Sequence, residues 1–486
     1  MNISKIESYL TSAEIESAHR CATRLILSLP NKVKMNNNRV LLGYGGGKDS
    51  SYTVAWVRYI QHIVSRRMNG QTFQLRIVTN RHAGMNSQVM ENIDRVYNAL
   101  NIYGDPSVEC LLADDLMIRP FQSTLPLPDS VLRRNRTDVL MNGHKFRADA
   151  RSTFCNACNL SMVNSFSCAS HFNGGVDIII TGDSPKEQLA YFAWVRQLSR
   201  LFKNPYDGGR GGFSEFLKTL DGVSHSYFSA LYGTANVKPE HRIFHDLARK
   251  PVFFNIYEDT AYESGEHWEM LCDYLGFKFD RLMFSFSESD CGNPTLMAHI
   301  RGLRAESLLN RTYAEGVNEY VVFALNLMKK KGFPKHLIEQ MARRYEGEDA
   351  LDEARKCAEQ FALDAFNLTT QQLVCMIFSP FSDQGAHLER YLTSGYGINY
   401  SSTAIHAFLA TPLSLNLELS RQLESCSGLS IDLIRQCYKN PTATSLLENS
   451  LNDPMASVLR RDPHKMIIKV KHGPDPNLVD EVISGR

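Results

Sequence analysis

The chain lacks a charge of one sign. Lys and Arg total 53 against 52 for Asp and Glu, a formal net charge of +1. No global field therefore draws in a polyanion or an anionic membrane, and a nucleic-acid substrate would need a local basic patch. It also lacks long hydrophobic runs: none approaches the roughly 18 residues needed to cross a bilayer. The opening MNISKIESYLTSAEIESAHR has neither a basic segment followed by an apolar run nor an Arg- and Ser-rich amphipathic signature. No export or organelle signal is expected, and the cytosol is the default compartment. There is no internal repeat and no low-complexity segment. The 11 cysteines are mostly scattered singly, which argues against a disulfide framework. In a reducing compartment, only the closely spaced Cys155, Cys158 and Cys168 point to metal or redox use.

What is present is apolar material: 486 residues, 43% of them hydrophobic, enough for a sizeable core and roughly two to four domains. Residues 12 to 29 read as an amphipathic helix with Ser12 as N-cap, and KVKMNNN follows as a turn. RVLLGYG is a short apolar strand, succeeded by a glycine loop and a helix from about Ser50 to Arg67. FQLRIVTN (73 to 80) is a second strand, with a helix near 86 to 100. VDIIITG (176 to 182) is a third, with a helix opening at Pro185. PVFFNIYE (251 to 258) supplies one more candidate strand. This alternation predicts a parallel sheet covered by helices.

Residues 105 to 153 read as an irregular insertion, either substrate-facing or a solvated surface, with RRNR (133 to 136) and HKFR (144 to 147) as its basic spots. NPYDGGRGGF (204 to 213) is glycine-rich, and its glycines at 208 to 212 are candidates for a lid. From about residue 295, AHIRGLRAESLLNR, EYVVFALNLMKKK, LIEQMARRY, DALDEARKCAEQFALDAF and SLNLELSRQLESC all carry helical periodicity, and convincing strands disappear. The expected division is an N-terminal helical segment (1–37), an α/β domain (38–294) and a mostly helical C-terminal domain (295–486).

The segment LLGYGGGKDSSYTVAWVRY carries the strongest chemical signal. Gly45, Gly46 and Gly47 leave a strand and enter a helix, so backbone N–H groups can converge on an anion at the positive end of a helix dipole. Lys48 adds a mobile cation, and Ser50 and Ser51 add hydroxyls. The spacing is neither that of a Walker loop nor the GxGxxG of dinucleotide folds. Asp49 would repel a phosphate unless a divalent cation stood between them, which argues for Mg²⁺ bridging to pyrophosphate.

Gly45-Gly46-Gly47-Lys48-Asp49-Ser50 resembles the SGGxDS loop of the PP-loop, or N-type, ATP pyrophosphatases, with Gly45 where that family usually has Ser. The resemblance covers about residues 38 to 200 and implies an adenine nucleotide alpha-hydrolase-like fold. It further implies cleavage of ATP between the α and β phosphates, adenylation of a carbonyl or carboxylate oxygen, and displacement of AMP by nitrogen or sulfur. TGDSPKEQ (181 to 188) is similar to the family's second nucleotide motif, which implies nucleotide contacts from Gly182, Asp183 and Glu187, with Glu187 as a second Mg²⁺ ligand beside Asp49. AGMNS is similar to a segment of N-acetyl sugar amidotransferases.

FCNACNLSM places Cys155 and Cys158 in a C-x2-C spacing just before a helix, with Cys168 ten residues on and His171 as a possible fourth ligand. Three or four converging thiolates suit an iron-sulfur cluster or zinc, and structural zinc and plain buried thiols stay open. The order C-x2-C, helix, strand, TGDSPKE is similar to that of PP-loop tRNA thiolases such as the 2-thiocytidine synthetases, which implies sulfur transfer through a cluster, a persulfide or a disulfide relay. A thiolate at a helix N-terminus would have a lowered pKa, suiting either role.

The leading expectation is an adenylating transferase using ATP and Mg²⁺. In it Lys48 stabilises phosphate charge, the loop holds the leaving pyrophosphate, and oxygen is replaced by sulfur or, in an amidotransferase or ligase, by nitrogen. A small-molecule acceptor is favoured over tRNA, since no RNA-binding appendage is recognisable. A sulfur donor, an ammonia-supplying protein (no N-terminal Cys of a glutaminase follows Met1) or a carrier protein is the expected partner. A nucleotide-binding sensor or assembly module is the reading of a different class.

Overall fold

A computed structural model of the chain describes residues 3–182, 185–203, 212–259, 267–280, 293–330, 332–396, 398–411, 415–443, 466–471 and 476–483. Its centre is a six-stranded sheet. The strands are β1 (Arg39–Gly43), β2 (Gln74–Asn80), β3 (Val108–Asp114), β4 (Met117–Pro120), β5 (Ile178–Ile180) and β6 (Val252–Phe253), in the order β4-β3-β2-β1-β5-β6. Every neighbouring pair is parallel except the β3–β4 hairpin. Leu42 of β1 stands between Ile77 of β2 and Ile180 of β5. The chain winds outward from β1 through β2 to β3 and then returns to the other side of β1 with β5, so the order reverses at the β1/β5 boundary.

The helices before the return are α1 (Ile3–Glu7), α2 (Ser12–Ser28), α3 (Lys48–Arg67), α4 (Ser87–Ala99), α5 (Asp129–Phe146) and α6 (Ala150–His171). After it come α7 (Pro185–Leu201) and α8 (Gly212–Tyr232). A helical region follows, comprising α9 (Pro294–Leu308), α10 (Tyr313–Lys330), α11 (Lys335–Arg343), α12 (Glu348–Phe366), α13 (Thr370–Phe378), α14 (Leu388–Thr393), α15 (Ser402–Ala410), α16 (Leu417–Ser427) and α17 (Ile431–Lys439). The chain is therefore α/β with a mostly helical C-terminal region. No helix among the described residues is long and apolar enough to cross a membrane.

Strand alternation sorts the core into two. Val40, Leu42, Leu75, Ile77, Ile178 and Ile180 face a core shared with α2, α3 and α4. Leu41, Val78, Leu111 and Ile179 face the other, which runs without a break through α5, α6 and α8 into α9, α13 and α17. The helical region is thus continuous with one side of the sheet.

Several local expectations are corrected. Thr11, not Ser12, caps α2, closing a capping box with Glu14. The segment 105 to 153 is not irregular: it holds β3, β4, α5 and the start of α6. Its strand signal is only the short run CLLA inside VECLLAD, and pairing with β2 and β4 makes it a strand. PVFFNIYE yields two strand residues, Val252 and Phe253. Strands also recur late in the chain, where β7 (Met466–Lys471) pairs antiparallel with β8 (Leu478–Ile483). The glycines at 208 to 211 lie outside the described residues, and Gly212 opens α8.

Candidate functional site

The glycine loop leaves the carboxyl end of β1 and enters α3 at Lys48, with Gly47 as an extended N-cap whose own side has no capping group. Orphan N–H groups at that helix start are the natural anion donors. Gly46 has φ +78, and a Cβ there would stand 2.6 Å from Val89 Cγ1 of α4. Only glycine satisfies both the left-handed backbone and this close approach. The loop is braced from beneath. The Ser50 and Ser51 hydroxyls donate to the Gly47 carbonyl at 3.0 and 2.8 Å, and Ser51 Oγ lies 2.9 Å from the Tyr44 hydroxyl. Ser51 is fully buried, so it shapes the loop rather than facing a ligand.

Lys48 is not a mobile surface cation. It is 5% exposed, its ammonium lies 5.6 Å from the Trp268 ring and 5.4 Å from the Phe333 ring, and it pairs with Asp49 at 2.5 Å. The Asp49 carboxylate remains 44% exposed, at the first turn of α3, and suits a hydrated divalent cation, which tolerates few protein ligands and keeps its waters.

The second motif meets the first. β5 ends beside β1, and a Cβ on Gly182 would stand 3.3 Å from Thr53 Oγ1, one turn into α3, where that hydroxyl donates to the Asp49 carbonyl at 2.9 Å. The GGGKDSS segment and Thr181-Gly182 therefore flank the β1/β5 switch point, the crevice in which open α/β sheets bind ligands. Asp183 lies outside the described residues, as does the side chain of Glu187, whose backbone falls in the first turn of α7.

At the end of β2, on the α5 and α6 side of the sheet, lies a chamber of about 20 Å³ walled by polar and apolar side chains alike, room for about one water. Asn80, His82, Arg134, Asp138, Thr153 and Cys158 contribute to its wall. The hydroxyl of Thr153, 1% exposed, and Asn80 Oδ1 have no hydrogen-bond partner among the described residues. A buried charge network backs the chamber. Arg134 donates to Asp138 at 2.9 Å and to both oxygens of Asp115, while Asp138 accepts from the Tyr232 hydroxyl at 2.5 Å and lies 3.2 Å from His241 Nε2. Burial alone would raise the Asp138 pKa. The His241 hydrogen bond, the Arg134 guanidinium and the Tyr232 hydroxyl outweigh it and hold the carboxyl below its usual range. RRNR is accordingly not all solvated, since its Arg134 is buried.

The cysteines depart most from expectation. C-x2-C sits inside α6, beyond the first turn that Asp149 caps, so neither Cys155 nor Cys158 occupies a helix N-terminus. Cys158 reaches the chamber, whereas the side chain of Cys155 lies outside the described residues. Cys168 is ten residues further along the same continuous helix, about 15 Å away at 1.5 Å per residue. It touches Asn164 at 3.9 Å, and burial chiefly pushes its thiol pKa up to about 11. Cys158 and Cys168 therefore do not converge on one metal, and among the described residues no three His, Cys, Asp or Glu side chains form a metal-holding group. His171 packs edge-on against Phe244 at 4.9 Å, at the Cys168 end of α6.

Asn80, His82, Arg134, Asp138 and Thr153 were not legible as site residues. They are spread over β2, the turn after it, α5 and α6, and the nearest signal was the RRNR cluster.

No family model matches the chain, and no curated protein matches it. Among solved structures, the U34-tRNA thiolase NcsA from Methanococcus maripaludis, solved with its [4Fe-4S] cluster, is similar at 13% identity over 68% of this chain and 78% of that one, with a TM-score of 0.24. An overlay this loose carries no argument about site or substrate.

Proposed function

We propose that the protein is an ATP-dependent adenylating transferase that replaces a carbonyl or carboxylate oxygen of a small metabolite with sulfur. The observation that carries this reading is the placing of the three-glycine loop and Gly182 at the carboxyl ends of the paired strands β1 and β5, where a Cβ on Gly182 would stand 3.3 Å from Thr53 Oγ1 of the helix that the loop opens. That crevice offers N–H donors without side-chain obstruction, a buried cation and an accessible carboxylate, the set required to hold a triphosphate by its β and γ groups. The substrate oxygen attacks the α-phosphorus, the α–β anhydride bond breaks, and pyrophosphate is retained by the loop N–H groups and Lys48. Mg²⁺, held by Asp49 with Glu187 as the second candidate ligand, would neutralise charge on the phosphates.

Sulfur is favoured over nitrogen because Cys158 lines the chamber at the end of β2, the strand paired with the β1 from which the loop departs. A persulfide supplied there by a donor protein would attack the adenylate carbon and expel AMP. The Cys155 thiolate, three residues away, would then attack the Cys158 sulfur, releasing the thiolated product and leaving a disulfide for a dithiol reductant to open. The net charge of +1 favours a small acceptor over tRNA.

The decisive measurement is pyrophosphate release from ATP with candidate acceptors. Asp49→Asn should lose turnover by at least a hundredfold while its thermal unfolding stays that of the wild type, and undiminished turnover removes the metal-bridging role. Cys158→Ser should keep nucleotide binding yet form no thiolated product.

A further inference from the structure

The basic HKFR segment is not absorbed by the nucleotide site. Its Arg147 ends α5 at φ 52 and ψ 45, and Ala148 follows at φ 51. Two successive left-handed residues that are not glycine are unusual, and such strain concentrates where a side chain must be aimed. The turn bearing residues 379 to 387 is pinned to this end of α5 by the Ser382 hydroxyl, which donates to the His144 carbonyl at 3.1 Å. That turn leads into α14, whose Arg390 donates to the Leu308 carbonyl of α9 at 2.6 Å, one turn beyond Arg304. Three arginines from three elements thus share one junction, with His387 beside them.

Their charges are incompletely matched. Arg304 reaches Glu481 at 3.2 Å, but that carboxylate is shared with Arg301 at 2.9 Å, and Arg304 Nε is buried with no acceptor among the described residues. Neither Arg147 nor Arg390 pairs with a carboxylate among the described residues. Burial first, and then the Arg304 and Arg390 guanidiniums, draw the pKa of Arg147 down, as expected where cations crowd without a counter-ion.

We propose that the junction of α5, α9 and α14 is a binding site for a phosphate monoester, held by Arg147, Arg304 and Arg390. Guanidiniums match phosphate oxygens in charge and in fork geometry. Arginines gathered from the end of α5, from α9 and from α14 suit a compact dianion, whereas a polynucleotide needs a track of cations along its backbone. The site is separate from the glycine loop and does not depend on the adenylation reading. It gives the helical region a ligand of its own.

The test is calorimetric titration of the full chain with phenyl phosphate, a monoester that isolates the anionic group. Arg147→Gln should bind at least tenfold more weakly, Arg147→Lys should retain part of the affinity, and ATP binding should be unchanged in both. Without ligand, Arg147→Gln should melt at or above the wild-type temperature, because a repulsive charge is removed; a merely structural arginine would lower it. Wild-type affinity in Arg147→Gln, or no binding by the wild type, overturns the proposal. Tighter, Arg147-dependent binding of a single-stranded RNA oligomer overturns it as well, in favour of a polynucleotide surface.

Discussion

The two sides of the sheet bury different chemistry. On the side of α2, α3 and α4 the core is mostly apolar and aromatic, with Trp56, Tyr59 and Tyr97 packed among Val, Leu and Ile and a buried arginine, Arg58 of α3, paired with Asp105, and the glycine loop at its edge works through backbone. On the side of α5 and α6, Arg134, Asp138 and His241 are buried among apolar residues, and the chamber sits at the same carboxyl edge. The dry side tolerates no added atom beneath its loop. The polar side holds its form through satisfied charges. A site built from backbone leaves a consecutive motif, whereas one built from side chains on separate elements leaves almost none.

Breaking the polar side should cost most. Asp138→Asn removes the carboxylate that anchors Arg134, Tyr232 and His241, and losing one partner of a buried charge network costs about 3 kcal/mol or more, read by urea unfolding. The sign with pH follows from the lowered Asp138 pKa. Its contribution is present above the unfolded carboxyl value of about 3.9 and is lost as pH falls through the lower folded value. The gap between wild type and variant should hold across neutral pH and close below about pH 4. A gap that widens on acidification would remove the network account.

The dry side should yield to a single methyl. Gly46→Ala must accept both φ +78 and the 2.6 Å approach to Val89, at about 2–3 kcal/mol, with loss of nucleotide binding. Gly70→Ala, at φ +85 but with nothing within 4 Å, pays only the backbone term of about 1 kcal/mol. Equal melting temperatures for the two variants would show that α4 does not close the loop from below.

The smallest effect sharpens the polar side internally. Cys168→Ser should change stability by less than about 1 kcal/mol and leave product formation intact, in contrast to Cys158→Ser. Loss of product in Cys168→Ser would require α6 to unwind and bring Cys168 towards the chamber.

Much of the fold was legible. Strands β1 and β2 and helices α2, α3 and α4 follow from periodicity and glycine punctuation, and the register of β1 between β2 and β5 then sets the glycine loop and Gly182 side by side. β3 was not legible, because a run of four apolar residues between charges is equally a strand or a buried helical turn until β2 pairs with it. The cysteine spacing misled for a related reason: a C-x2-C reads alike before a helix and within one.

By itself the sequence determined the backbone-built half of the candidate site, since only consecutive glycines can line a strand-to-helix turn with free N–H groups, and that requirement is local. Tertiary structure alone decided the rest. It buried Lys48 beneath Trp268 and Phe333, turned Arg134 of RRNR inward onto Asp115 and Asp138, carried Cys168 about 15 Å from Cys158 along one helix, and gathered Arg147, Arg304 and Arg390 at one junction. Each of these is a meeting of side chains distant along the chain, fixed by which faces of the sheet and helices must be hidden from water.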